Sequence, residues 1–259
     1  RTVTGVQTCA LPIFYPKNRW EYDCAISEIQ SMLDEEFSLF EIGAGNGEFL
    51  RRIIDFGVAV NRLLAIEYDD LGSKSIKSLG IDCLKVDIRK SEIARDKKFK
   101  VVAMFQVFEH LDDLDTLLIS VRNILWDHGL VIVSVPNGYH TEFIEKTLGF
   151  VDMPPNHLTT WNYESLKFVF ARHNFKLKHF QIERAAFFSF AYQLIYYSIL
   201  TRRQFGTQIE KKLFSIKKRS MRIFFFALFA IPHFVLRFRA LIQFNPSLGG
   251  SQFAIFEKR

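Results

Sequence analysis

Residues 38–47 read Ser38-Leu39-Phe40-Glu41-Ile42-Gly43-Ala44-Gly45-Asn46-Gly47. A short apolar run ends abruptly in three alternating glycines. The run reads as a buried strand. Glycines directly behind it let the main chain turn and approach a ligand with no Cβ in the way. Gly47–Phe56 then continues with helical spacing. Strand, glycine loop and helix together form the opening unit of a doubly wound sheet, which binds ligands beyond the carboxyl ends of its strands.

The rest of the chain repeats this alternation. Trp20–Leu33 reads as an amphipathic helix before the first strand. Arg62–Ile66, Cys83–Val86, Lys100–Phe105, Gly129–Val135 and Lys176–Glu183 read as strands two to six, and Gln252–Glu257 as a last strand. Helices fall at Asp70–Leu79, closed by Gly80, at Leu111–Trp126, and at Tyr163–His173. Asp112, Asp113 and Asp115 stand where the dipole of the Leu111–Trp126 helix favours acids. Strands alternating with helices predict an α/β fold with a parallel sheet.

The glycine loop has a chemical bias. A dinucleotide fingerprint GxGxxG needs glycine at position 48, and Glu48 is there. Glu41 beside the loop repels a pyrophosphate but suits a cofactor carrying an amino group and a sulfonium. Glu67 closes strand two, 20 residues past Gly47, and a carboxylate there can accept both ribose hydroxyl protons.

Glu41 to Gly47 resembles the first motif of class I S-adenosylmethionine methyltransferases. The resemblance extends to Glu67, to Asp87 in Lys85-Val86-Asp87-Ile88, to Phe105-Gln106-Val107-Phe108-Glu109-His110-Leu111, and to Leu125–Asn137. Asp127 and His128 replace the family's usual Pro-Gly turn, a departure expected to leave cofactor binding undisturbed. The likeness spans roughly 15–184 plus the last strand. It implies a Rossmann-like sheet of seven mostly parallel strands with helices on both faces. The last strand would be antiparallel beside the sixth, preceded by a helical insertion. It also implies S-adenosyl-L-methionine as cofactor. Glu41, Gly43, Ala44, Gly45, Asn46 and Gly47 would cradle the methionine part, Glu67 and Tyr68 the ribose, and Asp87, Ile88, Phe105 and Gln106 the adenine side.

Methyl transfer from a sulfonium needs mainly proximity and alignment, and a base only where the nucleophile must lose a proton. His157, His110 and Glu109 are the catalytic candidates. His157 lies in Pro154-Pro155-Asn156-His157-Leu158, resembling a family loop over the active site. A histidine titrating near neutrality suits a base, and pinning the loop is the alternative role. Glu109 and His110 also read as a pair that starts a helix and shapes the cofactor pocket. Nothing in the spacing of these three demands a metal ion, and none is expected. Tyr15, Trp20 and Tyr22 either close the cofactor site or pack the first helix.

Residues 185–245 differ from the rest. They hold ten Lys or Arg against Glu210 alone, a net +9, whereas the remainder is −3. Ile223–Leu236 is almost purely apolar, but shorter than the roughly 20 residues of a membrane span, and Pro232 interrupts it. Apolar faces beside basic residues suit an anionic membrane surface or a lipid-linked substrate. A lid or homodimer interface is the alternative. Nucleic acid ranks lower, because the aromatics stand in long apolar runs rather than among the charges. Arg1–Ile13 resembles a translated sequencing adapter, which divides the chain into 1–13 as non-native, 14–184 as core, 185–245 as insertion and 246–259 as last strand. Setting Cys9 aside leaves Cys24 and Cys83, too distant for a CxxC site or a disulfide framework, which points to a reducing, cytoplasmic setting.

The subgroup likeness is to enzymes of polysaccharide and lipid-linked glycan assembly, implying a small-molecule, saccharide or lipid-linked acceptor. Two competing readings are a non-catalytic membrane-associated Rossmann scaffold and an NAD(P)-dependent reductase or epimerase. The intact Gly43, Gly45, Gly47, Glu67 and Asp87 argue against the first, and Glu48 against the second.

Overall fold

The computed structural model describes residues 19–90, 97–148, 157–185, 187, 190–191, 241–242, 245–246 and 249–259. Tyr15, the segment 1–13 and most of 185–245 lie outside them, so the readings placed there are neither met nor contradicted.

Seven strands form one sheet: β1 Leu39–Ile42, β2 Leu63–Ile66, β3 Asp82–Leu84, β4 Phe99–Phe105, β5 Leu125–Pro136, β6 Phe175–Ile182 and β7 Ser251–Lys258. Their order is β3-β2-β1-β4-β5-β7-β6. β1 pairs in parallel with β2 and β4, and β4 with β5, while β7 runs antiparallel to β5. The chain winds outward from β1 in one direction and from β4 in the other. The connections leaving the carboxyl ends of β1 and β4 therefore go to opposite faces and open the crevice typical of this topology.

Strand periodicity sorts the core onto two faces. Val102 and Met104 of β4 join Phe40 and Ile42 of β1 on one side. Val101, Ala103 and Phe105 join Leu39 on the other. The first face is covered by α4 Leu114–Ile124 and α6 Tyr163–Arg172. The second is covered by α1 Trp20–Ile29, α2 Glu48–Asp55 and the Ile76 flank of α3 Asp70–Ser78. In α2, Phe49, Leu50 and Ile53 are buried while Arg51 and Asp55 are exposed, the apolar stripe a covering helix needs. Caps fix the starts of three helices. Asp69 accepts from Gly72 N at 2.8 Å, Asp113 accepts from Thr116 N at 3.4 Å, and Asn162 and Ser165 form a reciprocal capping box.

The helix expected over Leu111–Trp126 is shorter at both ends. Phe108–His110 forms a separate 3-10 turn, and Leu125 pairs with Phe99 as the start of β5. The replaced Pro-Gly at Asp127-His128 sits in an irregular excursion of β5, where His128 takes a φ of 61°. A helix the sequence reading omitted, α5 Gly138–Leu148, follows β5. Asn137 starts it, accepting from Tyr139 N while its Nδ2 donates to Gly249 O at 3.0 Å. Pro136-Asn137-Gly138 looks like a turn, and α5 has no clean apolar stripe to overrule that impression.

By contacts the chain divides into two units: 1–136 with 154–181 and 251–259, and 137–153 with 182–250. The first unit holds the sheet and every candidate site residue. Among the described residues no helix is long and apolar enough to cross a membrane. Cys24 and Cys83 are free.

Candidate functional site

The loop after β1 is shaped by main-chain packing. Gly43, Gly45 and Gly47 have φ of 71°, 55° and 80°. Gly43 N and Ala44 N donate to Ile66 O at 2.8 and 3.1 Å, tying the loop to the end of β2. A Cβ on Gly43 would stand 2.4 Å from Val107 Cγ2, so the absent side chain is what lets the segment after β4 lie against the loop. A second close approach was not foreseen: a Cβ on Gly72 of α3 would meet Gly45 O at 2.4 Å.

Glu67 braces this loop. It is buried, Oε2 accepts from Gly45 N at 2.6 Å, and Oε1 accepts from Asp69 N at 2.8 Å. Glu41 is 1% exposed, and its Oε2 has no hydrogen-bond partner among the described residues. Burial drives its acidity well down, holding the carboxyl protonated far above the usual range. Arg19 opposes this shift and Glu67 adds to it. Ser75 Oγ donates to Asn46 O at 2.8 Å.

Asp87 is gripped by Arg89, whose Nε and Nη2 donate to its two oxygens, each at 2.8 Å. The guanidinium also reaches Asp112 O at 2.7 Å, and it holds the Asp87 carboxyl below its ordinary value. The sequence reading missed this fork, although the Asp-x-Arg spacing was its signal. Tyr68 is exposed beside Glu67, and partial burial followed by the charge of Asp87 raises its phenol. Two expected cofactor residues turn their side chains elsewhere. Ile88 packs into one core face. Phe105 packs into the other, its ring 4.9 Å from Tyr22 and 4.8 Å from Phe49. For Phe105 strand alternation points the side chain inward, while Ile88 lies in the turn after β3, so their main chains are the parts placed to line the cleft. Gln106 follows with a φ of 56°, its N–H donating to Ser134 O at 2.8 Å. Such left-handed backbone at a non-glycine residue is stored strain of the kind that clusters at functional sites.

Trp20 and Tyr22 serve packing. Tyr22 is buried against Phe49 and Phe105, and Trp20 Nε1 donates to Ser251 Oγ at 2.8 Å.

The three catalytic candidates converge. The Glu109 carboxylate and one ring nitrogen each of His110 and His157 lie within 4.8 Å of one another. Glu109 is 1% exposed and both imidazoles are half-buried. The two rings stand 4.8 Å apart at 52°, and His110 Nε2 is 3.9 Å from Glu109 Oε1. Main-chain bonds hold the distant partner in place, with Leu158 N and Thr159 N donating to Glu109 O at 2.9 and 3.2 Å. Behind them, Trp161 Nε1 donates to Thr159 Oγ1 at 2.8 Å, and buried Gln252 donates to Trp161 O at 2.7 Å.

A family model described as a methyltransferase domain matches residues 18–179, more than half of the chain. No curated protein matches the sequence significantly. Several solved structures share the fold. One is a SAM-dependent methyltransferase from Archaeoglobus fulgidus, with TM-score 0.54 and 15% identity over 92% of this chain and 94% of that one. A coclaurine N-methyltransferase bound to N-methylheliamine and S-adenosylhomocysteine has TM-score 0.53 and 12% identity, covering 92% and 71%. The [4+2]-cyclase SpnF has TM-score 0.55 and 14% identity, covering 92% and 79%. At such identities the likeness is one of fold, and a fold hosts many chemistries.

Proposed function

The chain belongs to the methyltransferase domain family as a class I enzyme whose cofactor is S-adenosylmethionine, and we propose that it transfers a methyl group in line to a small-molecule, saccharide or lipid-linked acceptor. The residues fit the cofactor. Glu41 Oε2 is a buried acceptor without a partner beside the glycine loop, waiting for a donor such as an ammonium group. Burial keeps this carboxyl protonated until a cation arrives, and a bound ammonium would favour its ionised form, whereas a pyrophosphate would gain nothing from it. This favours methyl transfer over the nicotinamide alternative. Ala44, Gly45 and Asn46 would hold the methionine part, Glu67 and Tyr68 the ribose, and the main chain at Ile88 with Asp87 the adenine. Bound, the cofactor supplies an electrophilic methyl group already activated on sulfur.

The observation that carries the reading is the contact between Gly43 and Val107. It sets the segment bearing Glu109 and His110 directly against the cofactor loop. The protein's part is then alignment: one wall fixes the donor, and the Glu109–His110–His157 cluster fixes the acceptor's reacting atom and provides for its proton. The acceptor class rests on the aromatic and basic composition of 185–245, which suits a cytoplasmic enzyme attached at the inner face of an anionic membrane.

Calorimetry of the full chain with S-adenosylhomocysteine tests the donor end. Micromolar binding is expected, weakened at least 30-fold in Glu67→Ala. Absence of binding by folded protein would return the scaffold reading. Spun with anionic liposomes at low salt, the same preparation should pellet; staying in the supernatant would remove the lipid-linked acceptor class.

A further inference from the structure

Two of the three cluster residues are neighbours in the chain, and the third arrives from 47 positions away. Glu109 and His110 occupy a 3-10 turn shortly after the carboxyl end of β4. His157 is delivered by the segment whose N–H groups at Leu158 and Thr159 both bond to Glu109 O. The position of His157 is thus referenced to the main chain of Glu109 itself.

We propose that Glu109, His110 and His157 bind a divalent metal ion of the borderline class, such as Zn2+ or Mn2+. One carboxylate and two imidazoles are a donor set that suits such ions better than Mg2+, which prefers oxygen. Bonds of about 2.1 Å separate neighbouring donors by roughly 3.0–3.4 Å. The widest pair here, within 4.8 Å, would close by up to about 1.4 Å on binding. Burial favours the ion as well. Glu109 is 1% exposed, and a carboxylate kept from water is stabilised by a cation at bonding distance. The half-exposed sides of the two imidazoles leave coordination positions open, the mark of a catalytic rather than a structural site.

The proposed use of the ion deepens the methyl-transfer reading and rests on it. A cation here withdraws charge from an acceptor oxygen and so lowers its affinity for its proton, which leaves to solvent. A ring nitrogen bound to metal has no lone pair for that proton, so the ion replaces His157 as the group that handles it. Residue spacing alone demands no metal here, because the cluster depends on the pairing of residues 109 and 158.

The test is calorimetry of the metal-stripped full chain with Zn2+, and electron paramagnetic resonance with Mn2+. One equivalent of each should bind, Zn2+ more tightly than Mn2+, and Mg2+ most weakly. Glu109→Gln and His157→Gln should each weaken binding at least tenfold, while His128→Gln, on the surface beside Glu257, should leave it unchanged. Should Glu109→Gln fail to fold, His157→Gln carries the result, since that residue is half-exposed on a loop. No saturable binding by folded protein, or binding that survives His157→Gln, overturns the proposal. Homocysteine-ligand binding measured on the same samples separates the two readings. In the unsubstituted chain, no metal binding with intact S-adenosylhomocysteine binding sinks the metal site alone, and the reverse sinks the donor site alone.

Discussion

Two loops leave adjacent parallel strands at the same edge of the sheet, yet they are built on different principles. The loop after β1 is held by main chain. Gly43 and Ala44 bond to Ile66 O, Glu67 receives Gly45 N, and Gly72 presses on Gly45 O with no room for a Cβ. The segment after β4 is tied to a distant stretch by two main-chain bonds, from Leu158 N and Thr159 N to Glu109 O, and that stretch is in turn braced by side chains. Gln252 holds Trp161, Trp161 holds Thr159, and Thr159 sits on Glu109. Main-chain packing makes a surface with one shape, as suits a cofactor that never varies. A side-chain frame leaves the imidazoles freedom to close on what they bind. Each prediction below should disturb one loop and spare the other.

The strongest break is at Gly72. In Gly72→Ala the added Cβ would fall 2.4 Å from Gly45 O and 3.0 Å from Glu67 Cγ. The carbonyl belongs to the loop backbone and cannot rotate aside, so the loop must shift. We expect S-adenosylhomocysteine affinity to fall by about 100-fold, or ~2.7 kcal/mol, with an overpacking cost of roughly 1–3 kcal/mol in stability. Zn2+ binding should stay within twofold. Unchanged affinity for the nucleoside would show that the loop is not pre-formed.

A smaller effect is expected at Glu41, and its sign depends on pH. Burial holds its folded pKa above the unfolded value of about 4.3. The unfolded chain therefore ionises first. The apo protein loses stability as pH rises from the ordinary carboxylate range toward the raised folded pKa. Glu41→Gln removes that loss, so its melting temperature should exceed the wild type's near neutrality by a few degrees, ~1 kcal/mol being about 2–4 °C at this size. A ligand ammonium favours the ionised form, so binding should release a proton and tighten as pH rises through the same window. Calorimetry in two buffers of different ionisation enthalpy reads that proton. In Glu41→Gln the release should vanish and affinity drop about tenfold, ~1.4 kcal/mol. Proton release that persists in the variant would assign it to another group.

The difference between the loops also explains which parts were readable in advance. Glu41 to Gly47, Glu67 and Asp87 stand at strand ends in fixed local order, so their roles follow from spacing within one βαβ unit. The placement of β7 antiparallel to β5, between β5 and β6, agrees with the expected antiparallel last strand beside the sixth. The Arg89 fork escaped because arginine near an acid is common on surfaces. Gly72 escaped because a lone glycine in a helix pattern names no neighbour. Ile88 and Phe105 stand at the expected positions, but the β4 pleat turns Phe105 into the core and Ile88 packs there from the turn after β3. His157 was flagged singly, but its meeting with Glu109 depends on hydrogen bonds between residues 49 and 50 positions apart, for which periodicity carries no signal.

The mildest test addresses the side-chain frame. Thr159 Oγ1 accepts from Trp161 Nε1 at 2.8 Å and donates to Glu109 O at 3.4 Å, while its N–H bonds to the same carbonyl. Thr159→Val keeps the shape and the N–H but removes the hydroxyl. Trp161, 5% exposed, is left with an indole N–H lacking its acceptor, at a cost of roughly 1–3 kcal/mol. The main-chain bonds remain, so His157 should loosen rather than leave. Zn2+ affinity should fall about three- to tenfold, less than for loss of a ligand. S-adenosylhomocysteine binding should not change, since no bond of the β1 loop is touched. Equal losses at both sites would mean that the two loops move as one body. Loss at the metal alone would mean that the acceptor wall can be retuned through its frame while the cofactor wall stays fixed.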